Sequence, residues 1–301
     1  GAEIAIGRTF AEPEDAAEAA RRTAELLPQF PSVHISYAEA MRRLGEFDEC
    51  RRAYEHALRL HPHDGDLHNN LGNLLSDQSE FDAALAVYRR AIELQPNVLG
   101  YYSHLLYTLQ FHPTISPAES FAEHRKFDAA MCAPLQRLSQ PHGNDPTPNR
   151  RLRVGYISTE YRSHALGYYL VPLFANHDKT QVELFAYADV AQPDAVTFRL
   201  RQHADHWADI RGLSDDALAG RIREDRIDIL VDLHLHMGGD RSLLFARKAA
   251  PVQIAFAGYP GTTGLSAMDY RLSDRRLEPD PPVPSSEKVL PTLETFWCYT
   301  P

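Results

Sequence analysis

The sequence predicts two unlike parts in one chain: α-helical repeats, then an α/β, Rossmann-like lobe. Three observations predict it. Pro28, Pro62 and Pro96 stand 34 residues apart, the period of a helical-hairpin repeat. From Leu152 the pattern switches to short apolar runs separated by helical stretches, as a parallel sheet covered on both faces requires. Length is sufficient too, since 301 residues at 44% hydrophobic content can build about two cores.

In the first part, the two clearer repeats carry matching residues. His34/His68, Ala38/Gly72, Phe47/Phe81, Cys50/Ala84, Tyr54/Tyr88, Ala57/Ala91 and Leu60/Leu94 occupy equivalent places. Small residues recur where two helices must approach, and large ones where they interlock. Each proline falls just past a helical pattern, where it stops the helix without losing an internal bond. This is the tetratricopeptide period. It predicts two repeats over residues 31–96, a degenerate helix before them at 13–27 and another beginning near 97. Such an array offers a concave surface to a peptide or protein, or packs on a neighbouring domain.

A helix over 116–131 and a proline-spotted stretch, 141–150, lead into the second part. LRVGYIS, VELFAYA, IDILVDLHL, VQIAFAG and DYRLSD read as buried strands. Helices are expected near 165–176, 194–204, 214–225 and 240–249. The expected division is 1–112 for the repeats, 113–150 for a helical junction and linker, 151–285 for the Rossmann-like lobe and 286–301 for a departing crossover. Ligands on such sheets sit at the carboxyl ends of the strands. There the chain carries RSH, ending in His164, and Gly258-Tyr259-Pro260-Gly261-Thr262-Thr263-Gly264. No GxGxxG or phosphate-binding P-loop occurs, which counts against nicotinamide, flavin or nucleoside-triphosphate fingerprints.

Charge and cysteine usage narrow the classes further. The formal charge is −10, from 31 basic and 41 acidic residues, with no basic block, so nucleic-acid binding is not expected. Cys50, Cys132 and Cys298 are odd in number and widely spaced, as reduced thiols of a cytoplasmic protein would be. No apolar run approaches the ~20 residues of a membrane helix. The N-terminus lacks a signal-peptide pattern, and a start at Gly1 without methionine is expected of a trimmed product.

In order, LRVGYIS, RSH, ILVDL, FARKAAPVQ, GYPGTTG, MDY, SEKVLP and FWCYTP resemble the O-GlcNAc transferase family, the family 41 inverting glycosyltransferases. The resemblance runs from the repeats to Pro301. It implies a two-lobed GT-B fold of which this chain holds the first lobe, the second being a separate chain or a missing continuation. The implied reaction moves N-acetylglucosamine from UDP-GlcNAc to protein Ser or Thr hydroxyls, without a metal or other cofactor. His164 matches the histidine proposed as the family's general base, and histidine titrates in the right range; a ligand-positioning or helix-starting role is the alternative. Gly258, Tyr259, Pro260, Thr262 and Thr263 match its sugar-facing turn, whose plain alternative is a strand-to-helix turn without ligand.

Asp232, His234 and His236 would share one face of a strand, where three such groups could line the cleft, pack structurally or ligate a metal. The family works without a metal, and no metal site is expected. His236 matches a family histidine, whereas His234, Leu235 and Met237 depart from the Ser-Gly-His-Thr-like stretch usual in its bacterial members. That departure leaves room for another donor sugar or acceptor. A repeat scaffold with a degenerate transferase lobe is the non-catalytic alternative. Asp64-Gly65-Asp66 resembles the metal-binding DxD of other glycosyltransferases, but its place between helices predicts a turn. His203, His206 and Trp207 are expected to cap a helix or pack a strand. Asp215-Asp216 and Glu224-Asp225 read as a helix start and a solvated face.

Overall fold

A computed structural model describes residues 13–259, 261–280 and 282–299. The chain divides after Thr114 into two compact units. The first is a run of antiparallel helices: α1 (Pro13–Leu26), α2 (Pro31–Arg43), α3 (Phe47–Leu60), α4 (Gly65–Asp77), α5 (Phe81–Leu94) and α6 (Leu99–Leu109). Pro28, Pro62 and Pro96 each fall two residues past a helix end. Equivalent residues do equivalent work. A Cβ on Gly72 would come within 2.5 Å of the Tyr88 ring, so that tyrosine packs directly on backbone, and Ala38 and Tyr54 are likewise wholly buried. Tyr54 donates to Glu39 at 2.9 Å and Tyr88 to Asn73 at 2.8 Å. His34 and His68 each bond the carbonyl of the proline six residues earlier. Asp64 caps α4 by accepting from the Leu67 amide, which makes Asp64-Gly65-Asp66 a helix start.

The second unit opens with α7 (Pro117–Phe127), held at its start by a reciprocal Ser116–Glu119 capping box. Its sheet comprises β1 (Leu152–Ser158), β2 (Val182–Ala188), β3 (His206–Asp209), β4 (Ile229–Asp232), β5 (Val252–Ala255), β6 (Tyr270–Asp274) and β7 (Lys288–Leu293), interleaved with α8 (Ala165–Ala175), α9 (Ala195–His203), α10 (Asp215–Glu224) and α11 (Ser242–Ala246). The strand order is β3-β2-β1-β4-β5-β6-β7, and every pairing is parallel. One face buries Tyr156, Leu166, Leu170, Phe174, Leu184, Leu200 and Val231 in a single cluster beneath α8 and α9. On the other, Tyr187 donates to Asp225 just past α10.

Two strands escape the sequence pattern. β3 has four residues with polar ends. β7 carries Pro291, which breaks a strand signal but is tolerated at a sheet edge; the lobe's sheet thus continues past residue 285. β4 is shorter than IDILVDLHL suggests. The proline-spotted stretch is also more than a spacer. Arg150 forms a bidentate pair with the buried Asp228 at 2.6 and 2.7 Å, and Asn144 joins it at 2.7 Å. Together they tie residues 144–150 to the entry of β4.

Candidate active site

The sheet reverses its winding between β1 and β4: the chain moves outward from β1 to β2 and β3, then returns to β4 on the other side. Doubly wound sheets bind ligands at the carboxyl ends flanking such a switch point. Three loops meet there, after β1, β4 and β5.

The loop after β1 is short and heavily anchored. Ser158 accepts from the Glu160 amide at 2.9 Å, Thr197 donates to the Tyr161 carbonyl at 2.6 Å, and Asp194 accepts from the Ser163 amide at 2.6 Å. The loop folds back so closely that a Cβ on Gly167 would stand 2.1 Å from the Arg162 carbonyl oxygen. His164 ends the loop as the N-cap of α8. Its Nδ1 accepts from the Leu166 amide at 3.2 Å, and its side chain is 38% exposed. An amide can only donate, so Nδ1 is unprotonated and the neutral ring carries its proton on Nε2. The free edge of His164 therefore presents an N–H. A general base needs the opposite tautomer, with the cap released and Nδ1–H turned to Glu160, whose carboxylate lies 3.9 Å away.

After β4 the expected one-faced row of Asp232, His234 and His236 does not form. Asp232 Oδ1 accepts from the amides of His234 and Leu235 at 2.9 and 3.1 Å, taking the donors a continuing strand would need. The chain turns, and Leu235 enters the left-handed region at φ 52°. The two histidines then part. His234 Nε2 lies 2.9 Å from the Thr159 amide and 2.9 Å from Ser158 Oγ. His236 Nε2 donates to the Thr263 carbonyl at 2.9 Å, and its ring meets His124, Phe127 and Tyr259 edge-on at 5.2–5.3 Å. Its side chain is fully buried, so His236 is a strut under the loop and lines no cleft.

The loop after β5 begins with a three-residue turn: Gly258 N–H bonds the Phe256 carbonyl at 2.9 Å around Ala257, whose φ is 67°. That is a strained turn for a residue with a Cβ. Gly258 is required by its own backbone, because a Cβ there would stand 2.0 Å from the Leu233 carbonyl oxygen. The other side chains of this loop turn inward. Buried Tyr259 donates to His124 Nε2 at 2.9 Å. Thr262 donates to Glu287 at 2.6 Å, and Thr263 Oγ1 accepts from the Leu265 amide at 3.0 Å. Of the expected sugar-facing residues, Tyr259 thus bonds α7, Thr262 bonds Glu287 and Thr263 bonds within the loop, and Pro260 lies outside the described residues. Residues 256–258, Gly261 and Thr262 stay partly exposed.

Two further groups, not among the expected site residues, brace this arrangement. Glu287, buried at the head of β7, accepts from Thr262, Ser285 and the Thr263 amide. Burial opposes its ionisation, but those donors hold its carboxyl below the usual range. SEKVLP held the signal, as a run flanking an acidic residue. His124 of α7 donates Nδ1–H to the Ser120 carbonyl at 2.7 Å, and burial pushes its pKa down to about 3.

Burial also governs the switch point. It raises Asp232 to about 6, despite two backbone donors, and lowers His234 to about 4. The crevice between Ser158, Thr159, Asp232, His234 and Arg241 is too narrow for a water. Arg241 closes it by bridging Asp189 and Asp215 at 2.8 and 3.0 Å, which gives Asp215 a partner beyond its place in the first turn of α10. His206 stacks on Phe185 at 4.1 Å and pairs with Glu183, a strand-packing role. Beyond β5, Phe296 meets Phe256 at 5.5 Å and Trp297 meets Tyr169 at 6.1 Å, an aromatic border to the rim. Among the described residues, no group of three or more His, Cys, Asp or Glu side chains is placed to hold a metal ion.

With this geometry in view, similarities to known proteins take on detail. Residues 97–297 match glycosyl transferase family 41, and residues 30–97 match the tetratricopeptide repeat. The chain is 36% identical over 159 residues to the probable UDP-N-acetylglucosamine--peptide N-acetylglucosaminyltransferase SPINDLY of Arabidopsis thaliana, covering 51% of this chain and 17% of that protein. It is 32% identical over 133 residues to the UDP-N-acetylglucosamine--peptide N-acetylglucosaminyltransferase of Caenorhabditis elegans, covering 43% and 12%. Among solved structures, a mutant O-GlcNAc transferase of Thermobaculum terrenum superposes with a TM-score of 0.83 at 29% identity, covering 98% of this chain and 58% of that one. The chain thus spans under a fifth of the curated relatives it matches.

Proposed function

The chain belongs to glycosyl transferase family 41, and from that premise we propose that the protein it comes from is an inverting transferase moving N-acetylglucosamine from UDP-GlcNAc to Ser or Thr hydroxyls of proteins. In this proposal the α/β lobe is the first half of a GT-B catalytic unit. A second lobe, on another chain or a continuation, supplies the remaining donor contacts, and the repeats present the acceptor. No other cofactor is needed, and the site of action is the cytoplasm; no described helix is long and apolar enough to cross a membrane.

The observation that carries this proposal is the switch-point rim, where half-exposed His164 caps α8 at the end of an over-anchored turn after β1. In the reaction, the hydroxyl oxygen bonds to the anomeric carbon as the bond from that carbon to the diphosphate oxygen breaks. UDP leaves with the electron pair, and the hydroxyl proton passes to solvent unless a base accepts it. The capped tautomer of His164 suits a donor role, Nε2–H aimed at an oxygen of the sugar or of the leaving diphosphate, where a fixed donor offsets developing charge. As a base it would take the hydroxyl proton only after giving up the Leu166 amide.

The test is transfer of labelled N-acetylglucosamine from UDP-GlcNAc to peptides by the full-length protein, together with calorimetric titration of UDP. Transfer with saturable UDP binding is the expected result. UDP binding without transfer of this sugar would favour the second reading, a transferase of the same fold with a different sugar or acceptor. His234, which lines the crevice and departs from the stretch usual in the family's bacterial members, supports that reading. Neither binding nor transfer would overturn both and leave a repeat scaffold.

A further inference from the structure

Among the anchors on the β1–α8 turn, the one from the turn after β4 differs in kind. Asp194 and Thr197 belong to α9 and its cap, on the same face of the sheet as α8. His234 reaches across the switch point from the neighbouring strand and is 3% exposed. Its Nε2 faces three groups at once: the Thr159 amide at 2.9 Å, Ser158 Oγ at 2.9 Å and Thr159 Oγ1 at 3.1 Å. The amide has no alternative to donating, so the nitrogen opposite it must hold a lone pair. Ser158 and Thr159 can rotate their hydroxyl hydrogens elsewhere, and Thr159 Oγ1 reaches Glu160 at 3.3 Å. The ring is thereby fixed as the neutral tautomer with its proton on Nδ1. Burial keeps it neutral, against the opposing pull of the Glu160 and Asp240 carboxylates.

We propose that His234 is a positioning residue for the transferase site: its unprotonated Nε2 holds the Thr159 amide, and so fixes the turn that places His164 at the start of α8. The geometry runs from the turn after β4 to Ser158 and Thr159, and along the β1–α8 turn to the N-cap. A packing residue could be replaced by any ring of similar shape. A positioning acceptor can be replaced only by another acceptor at the same point. The catalytic half of this proposal rests on the transferase reading above; the structural half does not.

The test uses His234→Phe and His234→Gln in the full-length protein. Phenylalanine keeps the ring and removes the acceptor, whereas glutamine places an amide oxygen near the position of Nε2. Amide exchange at Thr159, measured relative to Leu184 in the core of β2, is expected to quicken about 10-fold or more in His234→Phe and to return toward the native rate in His234→Gln. In parallel, kcat with UDP-GlcNAc should fall about 10-fold in the phenylalanine variant with KM for the donor unchanged, and should recover in the glutamine variant. Native exchange and kcat in His234→Phe would overturn the proposal, as would a folded His234→Gln as impaired as His234→Phe. Should His234→Phe fail to fold, ring ¹⁵N shifts of the wild-type protein decide: a protonated Nε2 would overturn the assignment. If the wild-type protein transfers no sugar, the transferase reading fails, while exchange and ring shifts still judge His234.

Discussion

His164 carries two separable duties, capping α8 and presenting a ring edge, and substitutions can part them. Asparagine is a strong N-cap but has no Nε2–H. His164→Asn is therefore expected to keep the melting temperature of the lobe and lose turnover by ~10²-fold or more, with UDP binding intact. His164→Ala should lose the same turnover and in addition about 1 kcal/mol of stability. Turnover preserved in both variants would remove His164 from the chemistry. Gly258 tells a different story. A Cβ there meets the Leu233 carbonyl rather than open space, so Gly258→Ala is expected to cost about 1–3 kcal/mol through overpacking, read as a lower denaturation midpoint. An unchanged midpoint with a raised donor KM would instead assign Gly258 to sugar contact. At this scale the sequence made His164 and Gly258 visible, because a strand-end histidine and a glycine-rich loop stand out against their neighbours. It could not show that Thr262, Thr263, Tyr259 and His236 point inward, since a hydroxyl or a ring is equally suited to ligand or core until its partners are known.

Elements join here through single buried polar groups, and those groups set a pH dependence. His124 ties α7 to the loop after β5, and His234 ties β4 to β1; burial depresses both, to about 3 and about 4. A histidine depressed in the fold contributes stability that is full above its unfolded value, near 6.5, and is lost as pH falls toward the folded value. Asp232 works the other way. Raised to about 6, it favours the fold at low pH and loses that contribution as pH rises from about 3.8 through 6. The lobe is therefore expected to weaken between pH 6.5 and 4, with Asp232 offsetting part of the loss. Asp232→Asn keeps the acceptor for the His234 and Leu235 amides and removes the offset, so its decline should be steeper in urea midpoints measured across that range. An identical slope would mean that Asp232 is not protonated in the fold. Periodicity revealed most helices and the longer strands, but β3, β7 and the early end of β4 were hidden. β3 is too short to show a period, β7 contains a proline, and β4 is stopped by a side chain whose bonds are local in space and unmarked in pattern.

For the whole molecule, two units of different architecture follow one another, and the family match covers the junction at residues 97–114 as well as the sheet. His234 and His236 bond separate partners, so chelator treatment of the full-length protein is expected to leave transfer unchanged; loss restored by zinc would overturn that expectation. The sequence by itself determined the repeat period, the alternation of strand and helix, the parallel sheet and the family to which the chain belongs. These are properties of spacing, and spacing is written along the chain. Only the tertiary structure decided which nitrogen of His164 faces outward, that Asp232 turns the chain and sends His234 to β1, and that Glu287 and His124 brace the loop after β5. Those outcomes depend on donors and acceptors brought together from residues up to 135 positions apart, where a buried amide must find a lone pair and no linear pattern records which one it finds.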